Sequence, residues 1–111
     1  MHNLAHPEIA ALVTAYVADS APVLAFRLDS GQRVRDANLY ARQVLGMNVD
    51  GSHFAGLLPD FIVQPDVAQL ATVPEEVTLV TLNTTSGMPE SFGFRFFALV
   101  DGSILALGSP D

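Results

Sequence analysis

The chain has 111 residues, enough for one domain but not for a second core. Half of its residues are hydrophobic and only 15% are charged, which excludes a disordered chain. Twelve Asp and Glu stand against five Arg and no Lys, and the net charge of −7 argues against contact with nucleic acid or an anionic membrane surface. The absence of cysteine excludes a disulfide scaffold, a thiolate metal site and a cysteine nucleophile, and fits a cytoplasmic domain. No apolar run reaches the ~18 residues of a membrane span, and no signal-peptide pattern opens the chain.

Residues 7–18 predict an amphipathic helix. Pro7 suits its first position. Ile9, Leu12, Val13, Tyr16 and Val17 recur at helical spacing and form one apolar stripe. Residues 23–28 and 32–36 predict two strands around Asp29-Ser30-Gly31, with Gly31 expected to take the positive φ of the turn. Asn38 is expected to cap a helix over 39–45 that turns Ala41, Val44 and Leu45 to the core and stops at Gly46. Between 50 and 72, Phe54, Leu57, Leu58 and Phe61 predict one or two helical turns broken by Pro59 and Pro65, with a further short turn at 67–71. Residues 76–83, 90–100 and 103–108 predict three strands, joined by turns at Gly87 and at Asp101-Gly102.

The order is helix, two strands, short helices, three strands. It resembles a PAS domain, the small sensor module of signalling proteins. Asp29-Ser30-Gly31 resembles that family's turn between its first two strands, and Asp36-Ala37-Asn38 its signature at the first core helix. Leu45-Gly46-Met47 resembles the end of that helix, and Ser86-Gly87 and Asp101-Gly102 the glycine turns flanking the fourth strand. The resemblance implies an α+β fold: a five-stranded antiparallel sheet with short helices on one face, preceded here by an N-terminal amphipathic helix. It divides the chain into a helix and connector over 1–21, the PAS-like domain over 22–108, and the start of a C-terminal linker at 109–111. It further implies a domain taken from a longer signalling protein, such as a sensor histidine kinase or a cyclic-dinucleotide enzyme, joined to an output domain.

Within that frame Phe54, Phe61, Phe92, Phe94 and Phe96 are candidates for lining a ligand pocket between helices and sheet. The competing reading is that the rings fill the core, and the short middle segment favours it. Arg95 lies among the phenylalanines. A charge there is costly unless paired, and it is a candidate clamp for a carboxylate. Strand alternation sets it with Gly93 and Phe97, opposite Phe92, Phe94 and Phe96, and so on the outer face. Asp36 and Asn38 read as capping and turn residues.

His53 is a candidate haem ligand only by the family resemblance, and a hydrogen-bonded histidine is the preferred reading. Three scattered histidines do not make a metal cluster, and no catalytic constellation or phosphate loop is present. No cofactor is therefore expected. Covalent flavin is excluded by the lack of cysteine. The stripe Ile9, Leu12, Val13, Tyr16 and Val17 is expected to be a homodimer interface. The expected function is a non-enzymatic sensory module that binds a small ligand or a partner and signals to an output domain. The alternatives are a structural homodimerisation module with a filled core and, more remotely, a small α+β enzyme dependent on His53.

Overall fold

The computed structural model describes residues 23–110. The helix expected over 7–18, with its stripe Ile9, Leu12, Val13, Tyr16 and Val17, lies outside the described residues. The described elements run β1 (Leu24–Leu28), β2 (Val34–Ala37), α1 (Leu39–Leu45), a 3-10 turn (Phe54–Leu57), α2 (Val67–Leu70), β3 (Thr78–Leu82), β4 (Glu90–Ala98) and β5 (Ile104–Pro110). They form one five-stranded sheet in the order β2-β1-β5-β4-β3, with every neighbouring pair antiparallel. The hairpins β1–β2, β3–β4 and β4–β5 are local. The pairing of β1 with β5 joins the two halves of the chain and places the last strand at the centre.

The β1–β2 turn is organised by Asp29 rather than by glycine. Its Oδ1 accepts from the backbone N–H groups of Gly31 and Arg33, each at 2.9 Å, and Gln32 N–H donates to Asp29 C=O at 2.8 Å. The positive φ falls on Gln32 (61°), not on the expected Gly31. Residues 32 and 33 are drawn into this turn, so β2 starts at Val34, two residues later than its composition suggests. The other end of the sheet differs too. Strand β5 continues through Ser109 and Pro110, which pair with Gly93 and Phe92, where the sequence predicts an end at 108. Nothing in the residue types marks this extension, which follows from a nine-residue partner strand.

Asn38 makes the junction between sheet and helix. Its Oδ1 accepts from Ala41 N–H at 2.9 Å, the N-cap bond expected from the sequence. The same oxygen also accepts from Ala25 N–H at 3.2 Å, while Asn38 N–H donates to Ala25 C=O at 2.9 Å. The main-chain carbonyl of Asn38 is already bonded to Arg42 N–H in α1, at 3.1 Å. The side chain thus takes over the acceptor that the next rung of the β1–β2 ladder needs. Asn38 Nδ2 completes the set by donating to Val23 C=O at 2.8 Å. This side chain is 1% exposed, and its polar atoms are satisfied as burial demands. Gly46 (φ 121°) ends α1 as predicted.

The helical segments cover one face of the sheet. Leu24, Phe26 and Leu28 from β1, Val80 and Leu82 from β3, and Phe92, Phe94 and Phe96 from β4 meet Ala41, Phe54, Leu57 and Val67 in one core. Alternation along each strand selects this set. Val44 and Leu45 pack partly against it, as the helix pattern predicts.

Candidate functional site

The inner face of the sheet is filled by aromatic rings. Phe94 and Phe96 stack with centroids 5.6 Å apart, Phe26 meets Phe94 edge-on at 5.9 Å, and Phe54 meets Phe96 edge-on at 6.3 Å. Phe92 joins Phe94 at 6.4 Å. All five are at most 2% exposed. Gly108 lies against the Phe94 ring so closely that a Cβ there would approach three ring carbons to 2.6–2.8 Å. Four of the five phenylalanines proposed from sequence as pocket-lining are therefore together. They touch one another. Phe61, the fifth, does not join them: it is 76% exposed. Pro59 redirects the chain after Leu58, and Ile62 rather than Phe61 turns toward the core.

Arg95 stands on the outer face, as alternation requires. Its Nε donates to the backbone carbonyl of Pro74 at 2.7 Å, and its guanidinium lies 5.2 Å from the centroid of the Phe97 ring. A carbonyl and an aromatic face thus partner its charge in the place of a carboxylate. Around it a shallow groove of about 370 Å³ is floored by Gly93 and Leu107 and walled by Val77, Leu79 and Ser109. Val77 and Leu79 are largely exposed. Toward β1 and β2 the same face carries an ion-pair row: Arg27 bonds Asp36 at 2.8 Å and approaches Asp101 at 3.9 Å. Asp36 is thus a cross-strand ion-pair partner and not a helix-capping residue. The carboxyl of Asp101 is held below the usual carboxylate range, chiefly by the Ser103 hydroxyl and then by the Ser103 N–H.

His53 caps the 3-10 turn. Its Nδ1 accepts from Ala55 N–H at 3.1 Å, which puts the proton of the neutral ring on Nε2, and its backbone bridges to Arg33. Among the described residues no three His, Asp or Glu side chains gather as metal ligands would. No helix of the described residues is long and apolar enough to cross a membrane.

The strand order, with β5 between β1 and β4, and the helices gathered over one face define the architecture, and solved structures share it. A PAS domain from a two-component sensor histidine kinase superposes with a TM-score of 0.71 at 12% identity, over 95% of this chain and 99% of that one. The fold is that of a PAS domain. A second PAS-fold structure, a domain of a sensory box sensor histidine kinase/response regulator from Geobacter sulfurreducens, gives 0.69 at 18% identity, over 97% of both chains. The PAS domain of an HTR-like protein from Haloarcula marismortui gives 0.66 at 18% identity, over 95% of this chain and 93% of that one. No family model and no curated protein sequence matches the chain.

Two features of this PAS fold escaped the sequence. One is the second bond of Asn38 to Ala25, which depends on a non-local strand pairing. The other is the outer groove. Its only sequence signal is that Gly93, Arg95 and Phe97 alternate with the core phenylalanines, leaving a small residue and a cation on the opposite face.

Proposed function

We propose that the chain is a sensory or regulatory module of a larger signalling protein. It reads a small ligand or a partner and passes the signal to an attached output domain without performing chemistry itself. The observation that carries this reading is the contrast between the two sheet faces. The inner face is filled by five mutually packed phenylalanines. The outer face offers an open groove with one cation, Arg95, among apolar walls. Input at the outer face therefore suits this chain better than a ligand enclosed among Phe54, Phe92, Phe94 and Phe96. Signalling requires that the bound species prefer one of two arrangements of the module relative to its output. A groove crossing β3, β4 and β5 is placed to impose such a preference, because β5 carries the chain out of the sheet. The PAS-fold structures from sensor kinases support the reading at the level of fold.

A second reading is a structural homodimerisation module. The filled core and the exposed apolar side chains Val77 and Leu79 favour it, with the stripe Ile9, Leu12, Val13, Tyr16 and Val17 as the contact. A chimera separates the two. The chain is joined to the catalytic portion of a histidine kinase, and autophosphorylation is measured for the parent, Leu79→Asp and Arg95→Ala. A sensory outer face predicts that both variants shift kinase output severalfold while the dimer mass is unchanged. Output that follows only the loss of dimer mass supports the structural reading instead.

A further inference from the structure

Phe61 and Val63 are 76% and 89% exposed. Single exposed hydrophobics need no explanation, but these two stand one residue apart on a loop that is tethered on both sides of them. Ile62, between them, packs against the core, and its N–H donates to Pro59 C=O at 3.0 Å. Gln64 donates from Nε2 to Gln32 Oε1 at 2.7 Å, tying the loop to the β1–β2 turn. Asp66 then caps α2 through Gln69 N–H at 3.2 Å. Alternation on this tethered loop turns Ile62 inward and holds Phe61 and Val63 outward.

The loop is also negatively charged without compensation. Asp60 and Asp66 bracket it, and both are exposed. The chain contains no lysine, and its five arginines are engaged elsewhere. Arg27 pairs with Asp36, Arg35 with Asp29 and Arg42 with Asp50. Arg33 donates to Gly51 C=O, and Arg95 to Pro74 C=O. Among the described residues no ion pair involves Asp60 or Asp66. A second copy of this chain would bring carboxylates against carboxylates, and an anionic membrane would repel them.

From these observations we propose that the loop Asp60–Asp66 is a docking surface for a basic protein partner. The partner receives Phe61 and Val63 in an apolar groove whose rim carries arginine or lysine facing Asp60 and Asp66. An aromatic anchor surrounded by charge is the arrangement that concentrates binding energy at protein interfaces, the charges setting partner choice and encounter rate. This surface lies outside the Arg95 groove and stands whether or not that groove receives a signal.

The test uses the isotope-labelled full chain and an amphipathic leucine/lysine peptide as the probe. Amide shifts should concentrate on residues 60–66, and affinity should fall as salt rises. Phe61→Ser with Val63→Ser should weaken binding about tenfold or more. Asp60→Asn with Asp66→Asn should weaken it severalfold, since asparagine preserves the α2 cap. A control pair, Asp36→Asn with Glu90→Gln, removes the same charge elsewhere and should leave the affinity within twofold. Equal weakening by the control pair overturns the proposal, as do shifts spread over the outer sheet face. So does a fall in oligomeric mass on Phe61→Ser, which would mark a self-contact, or anionic-vesicle binding that the same variant abolishes.

Discussion

Asn38 is expected to be the most sensitive polar position in the fold. Replacing it with alanine removes the N-cap bond to Ala41, worth about 1 kcal/mol. It also leaves the N–H of Ala25, a fully buried residue, without its acceptor, at roughly 1–3 kcal/mol. Together the loss should be about 2–4 kcal/mol, a large part of the 5–15 kcal/mol typical of a domain. Asn38→Asp discriminates further. Aspartate caps helices as well as asparagine does, yet here its second oxygen would face Val23 C=O, where Asn38 now donates. A carboxylate that is 1% exposed and set against a carbonyl should titrate above its ordinary value. The aspartate variant should therefore be markedly destabilised at pH 7 and recover toward the parent as pH falls and it protonates. Urea unfolding followed by far-ultraviolet circular dichroism, at pH 7 and at about pH 5, measures both variants. An alanine variant within about 0.5 kcal/mol of the parent would refute the shared-acceptor reasoning. So would an aspartate variant as stable as the parent at pH 7.

Other substitutions follow from the same packing. Gly108→Ala should cost about 1–3 kcal/mol, because its Cβ meets the fully buried ring of Phe94, whereas Gly93→Ala meets only the exposed Val77 and should cost under about 1 kcal/mol; thermal midpoints compare the two. Phe54→Ala should cost about 3–5 kcal/mol and Phe61→Ala less than about 0.5 kcal/mol, a contrast denaturant midpoints reveal at once. The carboxyl of Asp29 is held low, first by Arg33 N–H and next by the Arg35 side chain, and that of Asp101 by Ser103. Both groups bind fewer protons folded than unfolded, so their contribution is present above pH ~4 and is lost as pH falls below it. Asp29→Asn should flatten the decline in urea midpoint between about pH 4.5 and pH 2.5, and an unchanged slope would contradict the assignment.

Local chemistry made much of this fold legible. Asn38 before an amphipathic run and Gly46 after it delimit α1 to the residue, because capping depends only on neighbours in sequence. Strand alternation placed Arg95 on the outer face and Phe92, Phe94 and Phe96 on the inner one. Long-range choices were not legible. Phe61 has the same residue type and helical spacing as a core position, but the prolines at 59 and 65 rephase the loop and Ile62 turns inward instead. Gly31 is the natural candidate for the positive φ of its turn, yet the two bonds from Asp29 Oδ1 fix a geometry in which Gln32 takes it. The groove around Arg95 arises only when β3, β4 and β5 lie side by side, which no single segment encodes.

The central claim is that the phenylalanine core is filled and that input is read from outside the sheet. A native mass spectrum of the purified domain tests it most directly. A filled core predicts the mass of the chain, or twice that mass, with any retained small molecule lost in Leu79→Asp or Arg95→Ala. A heavier species that releases a small molecule on denaturation, and keeps it in both Leu79→Asp and Arg95→Ala, would contradict the claim and would place the ligand among Phe54, Phe92, Phe94 and Phe96 after all.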